Sequence, residues 1–333
     1  MTRPTDAVRS AVRDALPAAL PQAGGMALVA CSGGADSLAL AAGAAQAVGG
    51  RPWRVGAVVV DHQLQPGSRV AAEAAAGQCR GLGLDPVLIC GIEVTGSGGP
   101  EASARRARYR ALASSALQEG ADAVLLGHSL DDQAETVLLG LARGSGSRSL
   151  AGMPARTTLS GTTDVVQLRP LLGLPRDVLR AACREWGLRP WEDPHNRDRA
   201  YTRIRVRRDV MPALAEALGP GVPQALARTA SLLRDDEEAL SAIAADALAA
   251  AEEGHEPGQG LDRQVLAGCP PAVRRRALRA AVLAEGVPPG ALKAEHLLAM
   301  DRVVVSGSGL VRLPGGVEAG VRCGRLVLHA TGG

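Results

Sequence analysis

Apolar and polar positions alternate in a repeating order along the first half of the chain. Met26–Cys31, Val55–Val60, Pro86–Cys90 and Ala123–Gly127 are short runs rich in Val, Leu and Ile. That is the pattern of strands buried on both faces. Between them, Leu38–Val48, Val70–Leu82 and Ala102–Glu119 have the length and composition of helices. Strands alternating with helices predict an α/β fold with a doubly wound, mostly parallel sheet, and Val165–Leu168 can add a fifth strand. In such sheets ligands bind beyond the C-terminal ends of the strands. The polar clusters fall there: Ser32–Ser37 after the first strand, Asp61–His62 after the second, His128–Glu135 after the fourth.

After Pro212 the pattern changes. Ala213–Glu252 is rich in Ala and Leu and helical in character, with the acidic run Asp235–Glu238 on a solvated face. His255–Gly260 breaks it, and Pro271–Glu285 and Gly290–Met300 read as two further helices. From Val303 onward, glycines punctuate short apolar runs, which predicts a small terminal hairpin. The expected division is therefore a domain over residues 1–212 and a smaller, mainly helical domain over 213–333. The first twenty or so residues carry charges every few positions and read as an amphipathic helix, not a signal peptide. No stretch is apolar for long enough to span a membrane. A cytoplasmic location is expected.

Composition narrows the chemistry. The chain of 333 residues is 46% hydrophobic, enough for a buried core in each of two domains. A formal net charge of +3 neither requires nor excludes a nucleic-acid partner. The six cysteines form no CxxC pair, which argues against a zinc ribbon or a disulfide framework and for buried free thiols. Lys293 is the only lysine, so no Walker-type phosphate loop can be built in the first half.

Cys31-Ser32-Gly33-Gly34-Ala35-Asp36-Ser37 lies between a strand and a helix. Two glycines let successive backbone N–H groups converge on an anion, and the following helix adds its N-terminal partial charge. Ser32 and Ser37 add hydroxyl donors. Asp36 fits a phosphate site if Mg²⁺ bridges its carboxylate to the phosphate oxygens. SGGADS resembles the pyrophosphate loop (PP-loop) of the N-type ATP pyrophosphatases, which cleave ATP between the α- and β-phosphates and transfer AMP to an oxygen of the substrate.

Further segments resemble the tRNA(Ile)-lysidine synthetase family within that group. Asp61-His62-Gln63-Leu64 is similar to its DHxL segment, and the resemblance places His62 beside the adenine; a structural histidine is the other reading. Ala104-Arg105-Arg106-Ala107-Arg108-Tyr109 puts Arg105, Arg108 and Tyr109 on one helix face, suited to phosphate or RNA. Leu126-Gly127-His128-Ser129-Leu130-Asp131-Asp132-Gln133-Ala134-Glu135-Thr136 is similar to LGHxxDDQxET. Ser129 can cap a helix with Asp132 as its capping-box partner. Asp132 and Glu135, three apart, can hold the ammonium of a free lysine or a Mg²⁺ ion. His128 or one of these carboxylates is the candidate base that takes the amine's proton. Arg143, in a segment similar to LxRGSG, resembles a mobile phosphate-contacting residue. Arg197, Arg203, Arg205 and Arg207 lie in the densest basic stretch, beside Trp186, Trp191 and Tyr201. They suit phosphate contacts and base stacking on tRNA, or else salt bridges.

The resemblance covers about residues 26–212 and implies a PP-loop catalytic domain followed by a tRNA-binding accessory domain. It further implies ATP and Mg²⁺ at residues 32–37, and Asp36, His128, Asp132 and Glu135 as the catalytic groups. The reaction it implies joins free L-lysine to C2 of the first anticodon cytidine of a tRNA(Ile) with a CAU anticodon, through an adenylated cytidine. That changes the codon read from AUG to AUA. A homodimer is compatible with this reading. The rivals are a tRNA thiolation enzyme, which needs paired cysteines, a GMP- or NAD-synthetase-like amidating enzyme, and a non-catalytic nucleotide-binding module.

Overall fold

The computed structural model describes residues 2–61, 63, 67–92, 100–144, 146–193, 198–253 and 260–330. The chain forms two compact units, Met1–Leu232 and Leu233–Gly333. In the first, α1 (Pro4–Ala15) begins on a proline, whose missing N–H costs nothing at a helix start. There follow β1 (Gly25–Ala30), α2 (Ala35–Ala47), β2 (Trp53–Asp61), α3 (Ser68–Gly81), β3 (Val87–Gly91), α4 (Pro100–Gln118), β4 (Ala123–Leu126) and α5 (Leu130–Ala142). Then come α6 (Ser147–Leu150), β5 (Arg156–Thr158), β6 (Val166–Leu168) and α7 (Arg176–Glu185). A helical run follows, made of α8 (Thr202–Arg205), a π-helical turn at Val206–Val210 and α9 (Met211–Leu218). The boundary expected at 212/213 lies within α9. The division at Leu232 falls inside the next helix, α10 (Val222–Glu252).

The sheet has the order β3-β2-β1-β4-β6-β5. β1, β2, β3, β4 and β6 pair in parallel and β5 runs antiparallel at one edge. The parallel, doubly wound sheet expected from the alternating pattern is therefore present. Side-chain alternation sends Ala27 and Val29 of β1 into a core shared with α1, α2, α3 and α7, and Met26 and Leu28 into a second core under α4. Burial on both faces explains why these strands lack a polar alternate. α2 is wrapped by its neighbours, with Leu38, Ala39, Leu40, Ala41 and Ala42 at 0% exposure. Its small residues allow that: a Cβ on Gly43 would lie 2.8 Å from Val8 Cγ1. The strand order reverses between β1 and β4, so the loops after these two strands open side by side.

In the second unit, β7 (Leu261–Asp262), α11 (Arg263–Gly268), α12 (Pro271–Ala284) and α13 (Ala294–Ser306) precede β8 (Leu310–Leu313), β9 (Val317–Arg322) and β10 (Arg325–Ala330). The expected hairpin is β9–β10, closed by Cys323 and Gly324 at φ 49° and 76°, the left-handed pair that a two-residue hairpin turn uses. It belongs to a four-stranded antiparallel sheet, β7-β10-β9-β8. Val303–Ser306, expected to open the hairpin region, continues α13, because Val303 and Val304 pack inward on that helix. All six cysteines are free; Cys31, Cys79 and Cys183 are buried as expected, whereas Cys323 is exposed in the turn. No helix among the described residues is long and apolar enough to cross a membrane.

Gly56 tests the packing of β2. A Cβ there would lie 2.5 Å from the Pro86 carbonyl oxygen and 2.8 Å from Leu28 Cδ2. Gly56→Ala is expected to destabilise the first unit by about 1–3 kcal/mol through overpacking. Denaturant unfolding of the variant with an unchanged midpoint would refute this packing.

Candidate active site

The turn after β1 is built on two glycines with different duties. Gly33 adopts φ 80°, a conformation that L side chains resist, and a Cβ there would also press to 3.1 Å from Ala75 of α3. Gly34 is the extended N-cap of α2, and its carbonyl accepts hydrogen bonds from Leu38 N (3.0 Å) and Ser37 Oγ (2.9 Å). Ser37 Oγ also accepts from Ser32 N at 3.1 Å and meets Ser32 Oγ at 3.2 Å. These bonds fix the turn and leave the start of α2 facing the cavity. Gly127, at the end of β4, allows the second loop to close in, since a Cβ there would lie 3.0 Å from the Asp36 carbonyl oxygen.

α5 starts with the expected capping box. Asp132 N donates to Ser129 Oγ (3.3 Å), and Asp132 Oδ2 accepts from Ser129 N (2.9 Å). The helix brings Asp132 and Glu135 onto one face, with side chains 10% and 2% exposed. Buried carboxylates require counter-charge. Arg207 supplies it through Nε to Glu135 Oε1 (2.7 Å) and Nη2 to Asp132 Oδ1 (3.0 Å). Arg203 Nε donates to Glu135 Oε2 at 3.0 Å. Arg176, the first residue of α7, donates from Nη2 to Asp132 Oδ1 (3.0 Å) and Glu135 Oε1 (3.3 Å). Arg176 also lies 3.5 Å from Asp36 Oδ2 and 3.9 Å from Asp131 Oδ1. Four carboxylates from the N-terminal ends of α2 and α5 thus share three guanidinium groups.

This cluster shows the surroundings of two expected groups. Asp132 and Glu135 are not open carboxylates at the sheet mouth. Arg203 and Arg207, read as tRNA contacts or else as salt-bridge partners, turn inward, because they are four residues apart and share one face of the helical run. Arg205 points away and donates to the carbonyls of Arg199 (2.8 Å) and Ala200 (2.9 Å). Burial works to raise the Asp132 pKa, but Arg176, Arg203 and Arg207 overcome it and hold the group below the usual carboxylate range. Burial likewise opposes the charge of Arg176, and Asp132, Glu135, Asp36 and Asp131 more than offset it.

A cavity of about 560 Å³ lies over the ends of β1, β2 and β4. Its walls include Ser32, Gly34, Asp61, Arg105, Arg108 and His128. Trp191, Asp193, Tyr201 and Arg203 form a further wall. Burial lowers the His128 pKa to about 3, helped by Arg169, Arg108 and Arg203 against the pull of Asp132. The imidazole is neutral at physiological pH, and its Nδ1 is buried without a hydrogen-bond partner. Such a group is a weak proton acceptor and a ready hydrogen-bonding partner for a ligand. Burial also lowers the pKa of Arg108, whose Nε is buried and unpartnered. Arg105 stacks on Tyr109, 4.9 Å from the ring centroid. A buried cation aimed into a cavity favours an anionic ligand.

Asp36 is the complementary case. Burial raises its pKa to about 6, only partly offset by Arg176, and Oδ1 is buried without a hydrogen-bond partner. This hard oxygen could hold a divalent cation. Among the described residues no group of three or more His, Cys, Asp or Glu side chains could hold a metal, so any cation here would draw most of its ligands from phosphate and water. The structure gathers Ser32, Gly33, Gly34, Ala35, Asp36, Ser37, Arg105, His128, Asp132, Glu135, Arg203 and Arg207 around this cavity or beneath it. Arg143 is exposed at the C-cap of α5 and does not line it. His62 and Arg197 lie outside the described residues. Sequence reasoning missed Arg176; its signal was an arginine directly after Pro175, at the first position of a helix.

The PP-loop domain family matches residues 9–214, and the TilS substrate binding domain matches residues 261–328. A tRNA(Ile)-lysidine synthase of Thermobifida fusca is 50% identical over 329 residues, covering 98% of each chain. One from Streptomyces coelicolor is 51% identical over 304 residues, covering 91% of this chain and 84% of the relative. The U34-tRNA thiolase NcsA of Methanococcus maripaludis, solved with its [4Fe-4S] cluster, shares the fold at TM-score 0.56 and 20% identity, over 68% of this chain and 78% of its own.

The Asp36 environment makes a testable demand. A carboxyl whose pKa is raised from 3.8 to about 6 contributes no penalty at low pH, and costs stability as pH rises through that window. Removing the charge should stabilise the nucleotide-free protein by up to about 3 kcal/mol at neutral pH. Asp36→Asn is therefore expected to unfold at a higher temperature than wild type at pH 7.5 and at a similar one at pH 4. Thermal scans across that range without Mg²⁺ measure the gap.

Proposed function

The chain belongs to the tRNA(Ile)-lysidine synthase family, and on that premise we propose that its cavity adenylates the wobble cytidine of an isoleucine tRNA and then exchanges AMP for lysine. Lysidine formation on tRNA(Ile) by an ATP-dependent ligase is the activity of the family. The finer assignments rest on the geometry above. The observation that carries them is the meeting, at the reversal of strand order, of a phosphate-binding turn and a cluster of carboxylates.

In this reading the turn at Ser32–Ser37 binds the β- and γ-phosphates of ATP through backbone N–H groups and the start of α2. Arg108, with Arg105 beside it, neutralises phosphate charge. Asp36, whose Oδ1 is without a partner, would hold Mg²⁺, which would supply charge neutralisation for pyrophosphate. The C2 oxygen of the cytidine with CAU anticodon context attacks the α-phosphorus, and the α–β bridging oxygen leaves with pyrophosphate. Little covalent help is needed, so the residues act by positioning and charge. The ε-amine of free L-lysine then forms a bond to C2, and the C2 oxygen departs on AMP.

Asp132 and Glu135 are the carboxylates for the lysine ammonium. They are occupied by arginines, so lysine must displace one. Arg203 and Arg207, with side chains 31% and 28% exposed, are better placed to leave than Arg176 at 14%. The amine has to shed a proton before it attacks, and a carboxylate freed by that exchange is a better acceptor than His128. Exposed Arg205 and the undescribed Arg197 remain the candidates for tRNA phosphate. A cytoplasmic enzyme, free to dimerise, fits this chemistry.

The experiment combines pyrophosphate release with incorporation of labelled L-lysine, using ATP, Mg²⁺ and a tRNA(Ile) transcript bearing CAU. Pyrophosphate is expected only when the tRNA is present, with one lysine incorporated per tRNA. Release that ignores RNA and follows ammonia would overturn the reading. Glu135→Gln is expected to lower lysine incorporation at least tenfold while sparing the RNA-dependent pyrophosphate burst, as measured by rapid quench.

A further inference from the structure

Aromatic side chains are scarce in this chain: three Trp, two Tyr and no Phe among 333 residues. Their placement is uneven. Trp53 is 7% exposed in the first core, Trp186 packs against that core, and Tyr109 packs against the second. The other two, Trp191 and Tyr201, both line the cavity over the phosphate turn. Trp191 is 38% exposed there, although its ring has the most to gain from burial.

The backbone around Trp191 is pinned. Trp191 N donates to the Gly33 carbonyl at 2.9 Å. Two residues earlier, Arg189 N donates to Gln78 Oε1 (2.8 Å), and the Arg189 carbonyl accepts from Gln78 Nε2 (3.0 Å). These three bonds tie an irregular segment to the phosphate turn and to α3. The Trp191 Cβ would lie 3.9 Å from a Cβ placed on Gly33. The indole is thus carried beside the turn on a hydrogen-bonded stretch of backbone, and Trp191 lines the cavity. Tyr201 caps α8, which brings Arg203 to the same wall.

On the proposed function, a nucleotide on the phosphate turn would lie in the cavity lined by the ends of β1, β2 and β4. The second substrate has to reach the α-phosphorus from the rim. A pyrimidine splayed out of a single-stranded loop needs a flat surface to replace its lost neighbours. We propose that the indole of Trp191 is the stacking platform for the target cytosine, with Tyr201 on the same wall bounding the base pocket. Trp191 is then a substrate-positioning residue of the first step. This inference rests on the proposed function, since it presumes a flipped-out cytidine as the nucleophile.

The test uses the full-length protein. Trp191→Ala is expected to raise the KM for tRNA about tenfold or more, leave the KM for ATP within twofold, and change kcat less than KM. Trp191→Phe is expected to recover most of the loss. A tRNA KM within twofold of wild type, or a loss confined to the ATP KM, would overturn the proposal. Intrinsic fluorescence provides a second reading that needs no Ala variant. The anticodon stem-loop should quench a wild-type emission component that Trp191→Phe lacks, and ATP alone should not. Quenching by ATP alone would make the ring an adenine platform and refute the assignment. Wild-type protein that fails to incorporate lysine defeats the proposed function instead, whatever the variants do.

Discussion

The site depends on a buried exchange of charge. Asp36, Asp131, Asp132 and Glu135 come from the N-terminal ends of α2 and α5, and Arg176, Arg203 and Arg207 come from α7 and the α8–α9 run, remote in sequence. Bringing so many carboxylates out of water is costly unless each meets a cation in good geometry. The guanidinium fork suits this, because one arginine can bridge two acids at once. The cluster binds α5, α7 and the α8–α9 run to one another. It also leaves one acidic oxygen, on Asp36, without a partner at the edge of the phosphate turn.

That arrangement follows from topology. The order β3-β2-β1-β4-β6-β5 sets the turns after β1 and β4 side by side, so residues nearly a hundred positions apart meet without a long excursion of either loop. Gly127 removes the side chain that would press on Asp36 and Ser37 and keep them apart. The cavity is then lined by Arg105 and Arg108, by Ser32 and Gly34 of the phosphate turn, and by a neutral His128. Such a lining is matched to a polyphosphate and a nucleobase together rather than to either alone.

The local parts of this design were legible in the sequence. Buried strands betray themselves as unbroken Val, Leu and Ile runs, and β1, β2, β3, β4 and β6 fall within a residue or two of those runs. The Ser129–Asp132 capping box was readable because both partners lie within one helical turn. What stayed hidden was non-local. Two-residue β7 has no periodicity to detect; its pairing with β10 defines it. Arg203, Arg205 and Arg207 alternate with Ile204 and Val206 like strand positions, yet they fold as helix and π-turn, and this sends two arginines inward and one out. Arg176 showed in the sequence only as an arginine after Pro175 at a helix start, since its partners are more than forty positions away. The second unit's sheet was only partly visible, because helix α13 absorbs apolar residues that also suit a strand.

Asp132 carries two obligations on one side chain. Its Oδ2 receives the backbone N–H of Ser129, which starts α5, and its Oδ1 receives Arg176 and Arg207. A longer Glu could still close the capping box but would move its carboxylate against Arg176 and Arg207, and a neutral Asn would keep the cap but unbalance the ions. Divergent copies of this chain could therefore drift at the arginines, which are partly redundant, sooner than at this carboxylate. The helix start and the charge balance are locked to one codon, so any path to a new substrate at this site has to run through the cations around Asp132 and leave Asp132 itself unchanged.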